Sequence, residues 1–368
     1  MTDRIDPSTI RKIAINTGGG DAPGLNAVIR AATLAALRMG WEVYGIRHGY
    51  RGLVDLDQTI RMTTDTVRGI THLGGTILGT ANRGNPFEYP LRKNEEIKIV
   101  DISDQVVANF HKLQLDALIS IGGDGSLTIA QKFIEKGIPI IGVPKTIDND
   151  LSGTVVTFGF DTAVTTATEA IDKIHSTAES HERVMVVELM GRYAGWIALN
   201  SGVSGSADVI LIPEIPFEIE RVCEKIYERE NAGRHFTIIV CAEGAHPKGR
   251  DILTRGPKQP GSEVQLGGIA EYVAKEVAKR TGKETRSIVL GHLQRGGSPT
   301  TFDRLLALRF GAAAVRCLQE GICNVMVGLD PPNVKTIPIS EAIKAMKRVP
   351  LDCDTIVTAR SMGISFGD

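Results

Sequence analysis

The chain has 368 residues, 42% hydrophobic and 23% charged, enough to bury a sizeable core and long enough to suggest two closely joined domains. Its 42 Lys and Arg offset 43 Asp and Glu for a net charge of -1, so the basic face of a nucleic-acid binder is missing, and no stretch approaches the ~20 apolar residues that span a bilayer. Five scattered cysteines (Cys223, Cys241, Cys317, Cys323, Cys353) form no CxxC pair or metal-ligand spacing, and MTDRIDPSTIRK lacks an apolar signal core, so the expectation is a cytoplasmic protein with neither nucleic acid nor membrane as partner.

In chain order, the first apolar run is KIAIN (12–16), followed by the glycine cluster TGGGDAPG (17–24) and a helical pattern from Leu25 to Gly40. The same order returns with ALISI (117–121), IGGDG (121–125) and a helix from about Leu127 to Gly137. IPIIGV (138–143) then runs into PKTIDND, where Pro144 stops the strand and Lys145, Thr146, Asp148 and Asp150 crowd its end. RVMVVEL (183–189) starts at Arg183 and leads to MGRYAG with Arg192; VILI (209–212) and TIIVC (237–241) follow, the latter ending at Glu243. QPGSEVQLG (259–267) is the loosest segment and reads as a mobile loop, and ETRSIVLGHLQRGGSP carries Arg286, His292 and Arg295.

Unbroken Ile/Val-rich runs are strands covered on both faces, and their alternation with helices predicts an α/β fold with mostly parallel sheets flanked by helices. Strand, glycine loop and helix occur in both halves, which suits two similar lobes with the active site in the cleft between them. The lobe boundaries expected are 1–158 plus 293–343 for a nucleotide-binding lobe, and 159–292 plus 344–368 for a sugar-phosphate-binding lobe.

Glycine loops at the carboxyl ends of strands let bare N–H groups and helix N-termini approach phosphate oxygens. Pro23 breaks a GxGxxG reading and no GxxxxGK[ST] is present, so the common dinucleotide and P-loop patterns are not met. An aspartate beside phosphate calls for a cation, which makes Asp124 the candidate Mg²⁺ ligand. Asp148 suits a general base that takes a proton from an attacking hydroxyl, with Lys145 beside the developing charge. The plainer readings stay open at this point: tight strand-to-helix turns for the glycines, a Pro-Asn-Asp turn for 144–150, structural ion pairs for Arg183, Arg192, Arg286 and Arg295, a core histidine for His292 and a helix cap for Glu243. Taken as a set, the four arginines favour an anionic, sugar-phosphate substrate.

GGDAPGLNAVIR, GGTILGT, IGGDGS, PKTIDND, MGRYAG and GHLQRGGSP, in this order, resemble the signature segments of 6-phosphofructokinases of bacterial type, within a mixed-substrate subgroup that carries GGDG with PKTIDND. The likeness runs from about Lys12 to about residue 345. It implies phosphoryl transfer from ATP, with Mg²⁺, to the 1-hydroxyl of fructose 6-phosphate. By motif it implies Asp148 as base, with Thr146, Lys145 and Arg192 as the other catalytic groups, and Asp124 on the metal. Gly20, Arg83, Gly84, Gly123, Asp124, Gly125 and Ser126 are implied at the nucleotide; Thr146, Ile147, Asp148, Met190, Gly191, Arg192, Glu243, His292 and Arg295 at the sugar phosphate. Arg183 and Arg286 match arginines that the family supplies from a neighbouring subunit, so a homo-oligomer, dimer or tetramer, with shared active sites is implied.

Pyrophosphate-using relatives carry an aspartate where Gly125 stands and a lysine where Lys145 stands, whereas the best-known ATP enzymes have glycine at both. A carboxylate at 125 would face the α-phosphate, and two unit charges ~4 Å apart at an effective dielectric of ~20 repel by about 4 kcal/mol, roughly a thousandfold in affinity. Gly125 therefore favours ATP, and the pyrophosphate-dependent form of the reaction is the alternative. Arg30 matches a basic effector site of the bacterial enzymes, but Leu34 and His175 replace its partners, which implies weak or absent control by those effectors. Two rivals explain less: a sugar-phosphate sensor has no use for Lys145, Asp124 and Asp148, and an NAD- or lipid-kinase reading covers one motif of six.

Overall fold

The computed structural model describes residues 3–81, 84–93, 96–256 and 264–368. The strands are β1 (Lys12–Thr17), β2 (Glu42–Ile46), β3 (Thr59–Met62), β4 (Ala117–Gly122), β5 (Ile140–Pro144), β6 (Val184–Leu189), β7 (Val209–Leu211), β8 (Thr237–Ala242), β9 (Thr285–Val289), β10 (Val325–Asp330) and β11 (Asn333–Pro338). Helices α1 (Leu25–Arg38), α2 (Ser103–Lys112), α3 (Asp124–Glu135), α4 (Phe160–His181), α5 (Trp196–Ser204), α6 (Ile219–Asn231), α7 (Ile269–Thr281), α8 (Thr301–Gln319) and α9 (Asp354–Ser361) flank them.

A seven-stranded sheet has the order β11-β10-β5-β4-β1-β2-β3, parallel except for the two antiparallel edge strands, and a second sheet has the all-parallel order β7-β8-β6-β9. Every residue of β4, β5, β6, β7 and β8 is buried, as expected of parallel strands roofed on both faces. Two core clusters pack on the first sheet, joining residues from Ile10 to Phe158 with others from Leu306 to Ala342. Two more pack on the second, mostly between Ala163 and Leu290, and take in Val349 to Phe366 together with Ala22 and Ile147.

The six strands read from Ile/Val runs are all present within two residues of their expected bounds. The α3 helix begins earlier than its apolar periodicity indicates. It starts at Asp124 rather than near Leu127, and β4 extends through Gly122, so Gly123 alone separates strand from helix. The expected IGGDG loop is thus divided between the strand end (Ile121, Gly122), Gly123, and the first helical turn (Asp124, Gly125), whose N–H groups have no partner within the helix. The strands of weaker pattern, β2, β3, β9, β10 and β11, lie at or near sheet edges or carry exposed residues, where tertiary pairing rather than hydrophobic run decides. The expected mobile loop at 259–267 lies mostly outside the described residues.

Topology places the site. From β1 the chain moves to β2 on one side, then returns to place β4 on the other, so the strand order reverses between β1 and β4. A crevice opens outside the carboxyl ends at such a switch point. Both glycine loops border it.

Candidate active site

At the carboxyl end of β1, the 18–24 loop is held from below and from the side. Gly18 N donates to Ile121 O at 2.9 Å, and Thr80 Oγ1 donates to Gly19 O. Asn26, on the first turn of α1, donates to the carbonyls of Leu73 and Gly74 and accepts from Ile77 N at 2.8 Å. A Cβ on Gly74 would lie 2.2 Å from Gly297 O, so the 74–80 segment can press against the 296–297 turn only because residue 74 has no side chain. Four motifs distant in sequence are thereby in contact.

Arg295 reaches into the same loop. Its Nη1 donates to Asp21 O at 3.0 Å, and a Cβ on Gly20 would lie 2.8 Å from that nitrogen. Lys145 is 3% exposed and its Nζ donates to Gly20 O. Burial, reinforced by the Arg295 charge, lowers the Lys145 ammonium to about 8, against the opposing pull of Asp148, Asp21 and Asp150.

The 144–150 turn is braced by hydrogen bonds from its own residues and from Thr157. Asp148 N donates to Thr146 Oγ1 at 3.0 Å, Thr157 Oγ1 donates to Thr146 O at 2.7 Å, and Thr157 N donates to Asn149 Oδ1 at 3.2 Å. Asn149 takes φ 51°, the left-handed conformation that asparagine tolerates. Ile147 is fully buried in the second sheet's core, so only its backbone is available to a ligand. Asp148 is 4% exposed, and its Oδ1 has no partner within the protein, nor has Oδ1 of Asp150. A buried oxygen left unpaired is destabilising, and these two lie just beyond the carboxyl end of β5, where open α/β sheets bind ligands. Burial raises Asp148 from the ordinary carboxylate range, opposed by Arg295, Arg192 and Lys145. Asp150 is raised to about 6 by burial and then by the Asp148 charge.

The second sheet presents its own carboxyl ends. After β6 come Met190, Gly191 and Arg192; after β8, Glu243; after β9, the 291–295 turn. Met190 N donates to Gln294 Oε1 at 3.0 Å, and Arg192 N donates to Glu243 Oε1 at 3.1 Å. Arg192 has φ 53°, unusual for a non-glycine residue. Its charge acts on Asp124, Asp148 and Glu243, so the Arg192 turn lies near the Asp148 turn. Burial, with the Asp148 and Glu188 charges adding, raises Glu243 to about 7. His292 is exposed beside this edge.

Asp124 and Gly125 are exposed at the first turn of α3, and Ser126 is buried against Gly18 and Gly122. Burial raises Asp124 and Arg192 lowers it. Gly84 is half-buried at the rim, with φ 116°. Arg83 lies outside the described residues.

Arg183 and Arg286 are elsewhere. Both bond Glu284 Oε1, at 2.8 and 2.6 Å. They sit at the amino ends of β6 and β9, about 23 and about 13 Å of extended chain from the carboxyl ends that carry Met190 and Leu290. Sequence reasoning did not single out Gln294, Glu214, Asn149 or Lys347. Gln294 was inside a quoted motif, but nothing along the chain signals that Lys347 Nζ contacts Asn149, 198 positions away, at 2.8 Å.

A phosphofructokinase family model matches residues 12–318. The ATP-dependent 6-phosphofructokinase of Chloroflexus aurantiacus is 50% identical over 358 residues, 97% of this chain and 98% of that protein. The pyrophosphate–fructose 6-phosphate 1-phosphotransferase of Amycolatopsis methanolica is 49% identical over 341 residues, 92% of this chain and 96% of that protein. Among solved structures, Pichia pastoris phosphofructokinase in the T-state matches with a TM-score of 0.79 and 33% identity over 96% of this chain, which spans 37% of that longer chain.

Proposed function

The chain belongs to the phosphofructokinase family, and from that premise we infer that it transfers the terminal phosphoryl group of ATP to the 1-hydroxyl of fructose 6-phosphate, a step of glycolysis. The observation that carries the chemistry is Asp148: buried, with one carboxylate oxygen unpartnered, and surrounded by the positive fields of Arg295, Arg192 and Lys145. Asp148 Oδ1 takes the hydroxyl proton, the O1–P bond forms, and the bond to the leaving ADP oxygen breaks. Arg192 and Lys145 face the charge that spreads over the moving phosphoryl group, in a site where burial strengthens them. Thr146 Oγ1, already holding Asp148 N, fixes the base relative to that group.

Gly20, Gly84, the Gly123–Ser126 turn and Arg83 are assigned to the nucleotide. The backbone of Ile147, Met190 and Gly191, with Glu243, His292 and Arg295, is assigned to the sugar phosphate. Among the described residues no three His, Cys, Asp or Glu side chains converge on one point; Mg²⁺ commonly takes one or two carboxylates and completes its shell with water and phosphate. Asp124, exposed on the first turn of α3, fits that donor set as a single carboxylate. Bound there, the ion would neutralise phosphate charge and orient the transferring group.

The two lobes proposed are 1–158 plus 293–343 and 159–292 plus 344–368. The division of the apolar core along the two sheets supports it. Arg183 and Arg286, too far from their own cleft, serve a neighbouring copy, so the active assembly is a homo-oligomer. The open edge strand β9 and the exposed Val289, Leu293, Phe302 and Leu305 support that reading. The assembly is placed in the cytoplasm.

Pyrophosphate as donor is the second reading, favoured by Lys145 and by the Amycolatopsis relative. Purified protein with fructose 6-phosphate and Mg²⁺, offered either ATP or pyrophosphate, tests both: turnover only with ATP is expected, and turnover only with pyrophosphate overturns the donor assignment.

A further inference from the structure

Residues 345–349 form a strap between the two turns that carry the reacting groups. On one side, Lys347 N donates to Asp150 O at 2.8 Å, Leu151 bridges Met346, and Ser152 Oγ donates to Ala345 O at 2.7 Å. On the other, Trp196 Nε1 donates to Lys347 O at 2.9 Å. Glu214 Oε1 accepts from Val349 N at 3.0 Å and from Gly195 N at 3.1 Å. Gly195 and Trp196 open α5, immediately after the Arg192 turn.

The Lys347 side chain completes the link. Its Nζ donates to Asn149 Oδ1 at 2.8 Å, Thr154 O at 3.0 Å and Val155 O at 2.9 Å, and it lies 5.5 Å from the centre of the Trp196 ring. All three ammonium hydrogens are used. Among the described residues Lys347 has no salt-bridge partner; neutral oxygens and an aromatic face surround the ammonium, and the Asp150 carboxylate acts on it without a direct ion pair. A desolvated ammonium is destabilising unless every bond is made, and a plain spacer would not need one. The acceptors are specific: Asn149 follows the base directly, in the left-handed conformation that turns the chain between Asp148 and Asp150.

We propose that Lys347 is a positioning residue of the phosphoryl transfer, locking the Asp148 turn through Asn149 and registering it against the Arg192 turn through Trp196. The inference rests on Asp148 being the base. Because Lys347 touches the supports of the reacting groups rather than the ligands, its loss lowers kcat and leaves the substrate KM values in place.

The test is Lys347→Met, which keeps the apolar stem over Trp196 and removes the donor. The expected result is a kcat lowered about tenfold to a hundredfold, with KM for fructose 6-phosphate and for ATP within about twofold. Asn149→Gly, which keeps the turn's backbone accessible, should lower kcat comparably, and the double variant should be little worse than either single one. Unchanged kcat in Lys347→Met, loss confined to KM, or additive effects in the double variant overturn the proposal. If Lys347→Met does not fold, Asn149→Gly alone decides, since wild-type kcat there removes the link. Wild-type protein inactive on fructose 6-phosphate with either donor would instead sink the underlying assignment of the site.

Discussion

Asp148 and Asp150 are two residues apart, yet their surroundings give them different tasks. Asp148 is opposed by three cations, whereas Asp150 is pushed up to about 6 by burial and by Asp148 itself. Asp148→Asn keeps the shape and removes the base; kcat should fall by about 10²–10⁴ with little change in the fructose 6-phosphate KM, measured by a coupled assay. Gly125→Asp puts a carboxylate on the first turn of α3, and the KM for ATP should rise on the order of a thousandfold while pyrophosphate is not excluded. Lys145, lowered to about 8 by burial, is charged below that pH and neutral above it. The profile of kcat/KM for the free enzyme should therefore fall as pH rises through about 8; a flat profile to pH 9.5 would remove Lys145 from the rate-determining charge balance.

At the scale of elements, the amino ends of α4 and α8 cap each other. Thr162 N and Oγ1 donate to Asp303 Oδ2 at 2.8 and 2.6 Å, and Thr300 Oγ1 donates to Asp161 Oδ2 at 2.6 Å. Asp303 is fully buried, and burial raises its carboxyl to about 6, with Asp161 adding to it. A carboxyl raised in the fold stabilises it fully below the unfolded value of 3.8, and that contribution is lost as pH rises through about 6. Asp303→Asn does not titrate, so it should gain on wild type by on the order of 2–3 kcal/mol between pH 4 and 7, read from urea unfolding at each pH. A difference that does not change with pH would contradict the burial argument. The α4 stripe Ala163, Ala167, Ile171, Ile174 and Ala178 packs into the core of the second sheet.

For the whole molecule, the distance between the arginines on Glu284 and the carboxyl-end cleft makes a prediction about assembly. Asp148→Asn and Arg286→Ala should each be nearly inactive at low fructose 6-phosphate. Mixing the two after dissociation should restore measurable activity, because some interfaces then pair an intact cleft with an intact Arg286. No recovery, with mixed oligomers demonstrated by a size tag, would mean that each chain works alone.

The buried parallel strands were legible along the chain, since unbroken Ile/Val runs leave few other solutions. The chemistry at their carboxyl ends could be read there as well, because glycine, lysine and aspartate were crowded into short stretches. Asp148, Asp124 and the glycine loops were legible for that reason. Folding in three dimensions was needed to make β1 and β4 neighbours with the crevice between them. It also decided that Gly74 meets Gly297, that Arg183 and Arg286 lie at the far ends of their strands, and that Lys347 reaches Asn149. Each of these depends on contacts between residues tens to hundreds of positions apart, and local propensity carries no record of which distant surface a strand or strap will meet.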